Sequence, residues 1–273
     1  MKRIVFILTA IVSFSFSQAQ VKEGTVYYDQ KTNMHRSITD EQMRAMIPEF
    51  RTAKYMLLFS DSVSMYKPIP EDEAPDPFAG GGGRGMVIRM GGAAGGDLYK
   101  NLAQLKSVQA SELGGKNFLI VDSIVQQPWK LGTETKTILG YTCHKATRKM
   151  MQPVGRTMRM SMSQGGGGTT NTVDTTNKQA PQTKEIEVVA WYADNIISPV
   201  GPESYGQLPG VILQLDVDNG ATIYTATEVK KAVDQKELKE PKKGKVVTRQ
   251  EYTKLMMDLM SNQMPMGGGM IRF

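Results

Sequence analysis

Apolar and polar residues alternate with a period of two along much of this chain, and that pattern predicts strands. The segments that carry it are Gly24 to Asp29, Lys54 to Ser60, Ser62 to Lys67, Lys116 to Asp122, Thr135 to Met150, Glu185 to Ala193, Val211 to Val217 and Ala221 to Lys230. From Glu185 to Tyr192 the alternation gives way to a continuous apolar run, as expected of a strand passing from half exposed to fully buried. Asp218-Asn219-Gly220 separates two strand patterns, and an Asn-Gly pair tolerates the positive φ angles of a tight hairpin. Helical patterning is confined to Thr39 to Ile47 and Thr248 to Gln263, opened by the capping-box pairs Thr39 with Gln42 and Thr248 with Glu251.

The expected fold is mainly β with an α minority: a curved antiparallel sheet or incomplete barrel carrying one or two helices, a closed barrel being the runner-up. Two stretches, 68–96 and 163–184, are dominated by Gly, Pro and small polar residues and are expected to be long Gly-rich disordered loops within a single β-rich domain spanning 20–273. No repeat of constant period is visible.

The first residues change the picture. Met1-Lys2-Arg3, the apolar run from Ile4 to Phe16 and the small residues Ser17 and Ala19 form the pattern of a signal peptide over 1–19, cleaved after Ala19. The mature chain is expected in the periplasm or outside the cell, with no transmembrane segment after signal removal. The single cysteine, Cys143, excludes an intramolecular disulfide, so stability must come from a core. The formal charge of +6 falls to +4 without Lys2 and Arg3, and the basic residues are dispersed, so nucleic acid is not an expected partner. The densest basic group, Lys239, Lys242, Lys243 and Lys245, reads as a solvated turn.

Ala190-Trp191-Tyr192-Ala193, Gly201-Pro202-Glu203-Ser204-Tyr205 and Leu208-Pro209-Gly210-Val211-Ile212-Leu213 together resemble the GLPGLI family of secreted bacterial proteins. Upstream, Trp129-Lys130-Leu131 and Ile138-Leu139-Gly140-Tyr141-Thr142-Cys143-His144-Lys145-Ala146 extend the resemblance in order. Gln207 stands where that family has its first Gly, and Val211 where it has Leu. Because Gly reaches backbone angles that other residues avoid, the turn at Gln207 is expected to differ. The resemblance implies export in Gram-negative bacteria and no established activity, catalytic residue or ligand residue. Gly201, Pro202, Leu208, Pro209 and Gly210 are the candidate motif residues: paired turns leading from one buried strand to the next, or the rim of a ligand cleft at one end of the sheet.

Candidate chemistry is sparse. Cys143 and His144 are adjacent on a predicted strand, so their side chains point to opposite faces and make no catalytic pair; Cys143 is expected to share a buried face with Leu139 and Tyr141. Gly80, Gly82 and Gly85 fit a dinucleotide-binding spacing but follow an acidic, Pro-rich segment rather than a strand. Two histidines without metal-ligand spacing make a zinc site improbable, and no nucleophile elbow occurs. Methionine is abundant, with 19 in the chain, and thioethers select Cu(I). Met158, Met160 and Met162 would share one face of a strand, and Met256, Met260 and Met264 one stripe of a helix; core packing is the favoured reading of both, less so for the first group, which Arg156, Arg159 and the Gly-rich loop flank. The expected function is therefore that of a non-enzymatic binding or interaction protein, its partner an apolar ligand or an envelope protein and no cofactor required. The alternative is a periplasmic Cu(I)-binding protein using Met158, Met160 and Met162.

Overall fold

The computed structural model describes residues 21–38, 41–70, 96–153 and 183–263. Twelve strands form one sheet: β1 (Glu23–Asn33), β2 (Phe50–Ser60), β3 (Val63–Pro68), β4 (Leu98–Asn101), β5 (Lys106–Leu113), β6 (Lys116–Ser123), β7 (Lys130–Ile138), β8 (Tyr141–Pro153), β9 (Thr183–Ala193), β10 (Val211–Val217), β11 (Thr222–Lys230) and β12 (Lys245–Val247). The order across the sheet is β12-β6-β5-β4-β3-β2-β1-β11-β10-β9-β8-β7. The sheet is open, with β12 and β7 at its edges, so the closed barrel is excluded. Every pairing is antiparallel except β12 with β6, which is parallel, so the sheet is mixed rather than purely antiparallel. The helices are α1 (Glu41–Met46) and α2 (Arg249–Gln263).

The hairpin between β10 and β11 forms as its Asn-Gly pair requires: Asp218, Asn219 and Gly220 have φ of 55°, 51° and 84°, and the Asp216 carboxylate accepts the Gly220 N–H at 2.6 Å. The capping box of α2 is closed in both directions, with Thr248 N–H donating to Glu251 Oε2 at 2.7 Å and Glu251 N–H to Thr248 Oγ1 at 3.2 Å. Thr39, the other expected cap, lies outside the described residues. Three expectations need correction. Thr135 to Met150 is two strands, because Leu139 and Gly140 adopt φ of 50° and 80° and turn the chain back. Leu139 is consequently an exposed turn residue that shares no buried face with Cys143. The Gly-rich stretches lie almost wholly outside the described residues, but their ends do not behave as loops: Pro68 closes β3, and Thr183 and Lys184 open β9.

Register assigns the core residues to two faces. On one, Val26, Leu57, Tyr66 and Leu98 lie side by side across β1 to β4, and Tyr224, Leu215, Ala190 and Ala146 continue across β11 to β8. On the other, Leu58, Met65, Tyr99 and Val108 form a second apolar patch, on which Leu238 of the 231–244 segment packs. Lys239, Lys242, Lys243 and Lys245 around that segment's end are exposed, as expected of a solvated turn. α2 packs through Tyr252, whose ring meets Phe118 at 5.8 Å and whose hydroxyl is 2.6 Å from Ser111 Oγ. Among the described residues no helix is long and apolar enough to cross a membrane.

Candidate functional site beneath the 194–210 loop

The candidate motif residues come together in the loop between β9 and β10, and this loop is not a rim. It crosses the first face of the sheet and becomes its second layer: Ile196 and Val200 are 0 % exposed, Leu208 2 % and Tyr205 9 %. Burying each of the aliphatic three is worth roughly 2 kcal/mol, which fixes the loop as a permanent part of the core rather than a lid. Its backbone is stitched in place by Gln207 N–H to Pro199 O at 2.7 Å, Ile212 N–H to Val200 O at 3.0 Å and Val211 N–H to Ile196 O at 3.2 Å. Val21 joins the same loop, pairing with Ile196 and accepting from Ile197 N–H at 2.9 Å.

Two of the motif glycines are explained by close approach and not by φ. A Cβ on Gly210 would overlap the carbonyl oxygen of Ala193, and one on Gly201 would sit 2.7 Å from Ile212 Cδ1. Pro202 starts a turn closed by Tyr205 N–H to Pro202 O at 3.0 Å, while Pro209 is exposed. Gln207 adopts φ of 66°, in the left-handed region that glycine enters more readily than a residue with a side chain. Its amide spans to the segment before β7, accepting from Gln127 N–H at 3.1 Å and donating to Val125 O at 3.2 Å, and these bonds offset the strain.

The polar centre of the site is Lys100 of β4, which is 4 % exposed. Its ammonium donates to the carbonyls of Gly201 at 3.1 Å, Glu203 at 2.6 Å and Tyr205 at 3.0 Å, so one side chain satisfies three carbonyls of an irregular segment. Burial lowers its pKa to about 7, and the nearby Glu203 carboxylate works against that shift. Burial likewise raises the Glu203 carboxyl, while the Tyr224 hydroxyl, donating to it at 2.6 Å, and Lys100 pull it down. Gln30 Nε2 donates to the Tyr224 oxygen at 2.9 Å, completing a chain from β1 through β11 to the loop. Tyr28 donates to Ile212 O at 2.5 Å. Tyr66, stacked on Tyr55 at 4.9 Å, and Ser64 and Ser198 bury hydroxyls without a hydrogen-bond partner among the described residues. At the outer end of this layer the guanidinium of Arg148 lies between the rings of Trp129 and Tyr205, at 4.6 and 4.9 Å, and Trp129 Nε1–H donates to Gly206 O at 3.0 Å.

The remaining candidates are scattered. Cys143 is fully buried, its thiol pushed up to about 11 by burial, while His144 on the opposite face pairs with Asp194 at 3.0 Å. Met158, Met160 and Met162 lie outside the described residues, as do Met264 and the three glycines of the dinucleotide-like spacing. Met256 is half-buried on α2. Among the described residues no group of three or more His, Cys, Asp or Glu is placed to hold a metal ion. Sequence reasoning missed Lys100 and Arg148, since a lysine or arginine in a polar strand carries no mark of burial.

No curated protein sequence matches the chain. Among solved structures, PNGF-II in two crystal forms is similar at 14 % identity and a TM-score of 0.50, covering 86 % of this chain and 33 % of that one. The likeness is one of fold, and this chain spans about a third of that protein's length. LprF from Mycobacterium bovis aligns at 11 % identity over 82 % of this chain and 92 % of its own, with a TM-score of 0.26 that is too low to place a fold. Residues 129–214 match the family described as protein of unknown function (Porph_ging), the same family to which the motif residues pointed. That stretch runs from the Trp129 stack through the loop and into β10, and the family it matches is the GLPGLI family of Bacteroidetes proteins, a family of unknown function.

Proposed function

We propose that this protein is an exported, non-enzymatic interaction protein of the cell envelope, a scaffold that meets an envelope protein or an apolar ligand at its surface. The observation that carries this reading is how the polar groups under the loop are used. General acid or base chemistry needs a group within reach of a substrate proton. Lys100 instead spends its donors on three loop carbonyls, and Glu203, Tyr224 and Gln30 are engaged with one another. The face that could have formed an internal ligand chamber is filled by Ile196, Val200, Tyr205 and Leu208. An open groove of about 270 Å³ beside Tyr27, Tyr28, Asp29 and Lys54 lies just below the range of roughly 300–1,000 Å³ usual for small-molecule pockets. Export is supported by the basic start, apolar run and small residues of 1–19.

The test is to express the full chain in a Bacteroidetes host with photo-crosslinkers at surface positions. The expected result is a mature protein beginning at Gln20 in the envelope fraction, with discrete adducts from a limited set of positions. A full-length chain retained in the cytoplasm, or no adduct from any position, would overturn the proposal. The copper alternative rests on Met158, Met160 and Met162, and is decided by Cu(I) competition against a chelator with those three changed to Leu.

A further inference from the structure

Among the described residues many surface cations meet carboxylates and the buried Lys100 meets carbonyls, whereas Arg148, like Lys136 over Trp191, packs on aromatic rings without a carboxylate. At the surface, Lys67, Lys106, Lys145, Lys149, Lys184 and Arg249 each meet a carboxylate oxygen at 3.0 Å or less. In the interior, Lys100 has three carbonyls and the nearby Glu203 charge. Arg148 is half-buried on β8, and among the described residues no carboxylate pairs with it. Its Nε is buried without an acceptor, and burial works against its charge while the neighbouring Tyr205 favours it.

The geometry around it is specific. The Trp129 and Tyr205 rings, with centroids 4.6 and 4.9 Å from the guanidinium carbon, pack against the cation and hold it in one orientation. Trp129 is itself fixed by its bond to Gly206 O, and Tyr205 by the turn from Pro202. A guanidinium offers its N–H groups in its own plane, as a rigid fork that matches the paired oxygens of a carboxylate or phosphate. Here the fork is packed against two rings and partly withdrawn from water, and its Nε has no acceptor among the described residues. A half-buried charge without a counter-charge is unfavourable, and an incoming oxyanion would relieve it.

We propose that the Trp129–Arg148–Tyr205 stack is an oxyanion-binding site that takes a carboxylate or phosphate group on the guanidinium. This deepens the interaction reading by naming the chemistry of what is bound, and rests on it for the premise that binding, not turnover, is the activity. A stack that merely fastened the loop to the sheet would gain nothing from an anion.

The experiment is to titrate the mature protein with acetate, with inorganic phosphate and, at matched ionic strength, with chloride, following the Trp129 Nε1–H resonance, present in wild type and variant alike, by ¹⁵N NMR and the thermal midpoint. Saturable shifts with acetate, phosphate or both, absent with chloride and at least ten-fold weaker in Arg148→Lys, are expected. Acetate alone identifies a carboxylate ligand and phosphate alone a phosphate ligand. A response in the wild type that never saturates, or that chloride reproduces, overturns the site even if the variant does not fold, as does an equal response in Arg148→Lys. Loss of the site in this way leaves the interaction reading standing, whereas consumption of a phosphate or carboxylate ester by the wild type would sink that reading instead.

Discussion

The sheet has a cover on each face, 194–210 on one and 231–244 on the other, similar in length and unlike in construction. The first lies inside: its apolar side chains are in the main core and its carbonyls are met by Lys100. The second lies on the surface, inserting Leu238 into the apolar patch and holding on by Lys67 with Glu237, Lys106 with Glu240 and Thr25 Oγ1 to Ala232 O. The difference shows what an irregular segment needs in order to serve as core. Its backbone polar groups must find partners without water, and here one lysine from the sheet supplies three of them.

The hardest break should come at Gly210. Gly210→Ala drives a methyl group into the Ala193 carbonyl, backbone against backbone, and a loss of more than about 4 kcal/mol is expected, read as failure to give a cooperative unfolding transition. Next is Lys100→Met, which keeps the bulk and strands three carbonyls; about 3–5 kcal/mol should be lost in urea unfolding. The same pair sharpens the comparison with pH. Lys100 has a folded pKa of about 7 against an ordinary 10.5, so from pH 7 upward the unfolded chain holds a proton that the folded one releases. The proton-linked part of its contribution is therefore zero below about pH 7 and grows towards pH 10.5, so the gap between wild type and Lys100→Met should widen over that range; a constant gap would show that Lys100 keeps its proton.

Gln207→Ala removes two hydrogen bonds while leaving the positive φ, for an expected loss of about 1–2 kcal/mol. Gln207→Gly should lose less, since it relieves the backbone strain; the two variants, compared by thermal midpoint, separate the bonds from the angle. The smallest effect belongs to the surface cover. Lys106→Ala breaks an ion pair that is about a third exposed on each side, and less than about 1 kcal/mol is expected, vanishing in 1 M salt. A loss as large as that of Lys100→Met would erase the distinction between the two covers.

Local chemistry was legible in the sequence wherever it was self-contained. The 218–220 turn and the Thr248 capping box depend on residues a few positions apart, and both are found. β7 and β8 merged into one expected strand because a single Gly-containing pair, Leu139-Gly140, turns the chain between two β-rich runs. β4 and β5 escaped notice because their apolar residues are few, and Lys100 sits where a surface lysine would be expected. The motif residues Gly201, Pro202, Leu208 and Gly210 were identified as turns, but their burial was not, since it depends on the loop folding back onto the sheet, where Gly210 meets Ala193, Gly201 meets Ile212 and Lys100, about a hundred residues away, meets the Gly201 carbonyl. Arg148 was invisible for the same reason: Trp129 and Tyr205 reach it from opposite directions along the chain.

The strand order has a kinetic consequence. β1 is an interior strand whose two neighbours are β2 and β11, and Thr25 pairs with Lys230. That ladder closes a loop of about two hundred residues, so its entropy must be met before the sheet can be completed. Among the described strands the first thus waits for the eleventh, and the sheet cannot be completed before β11 is in place. Refolding should be slow, because the middle of the sheet is closed by one of its longest-range ladders.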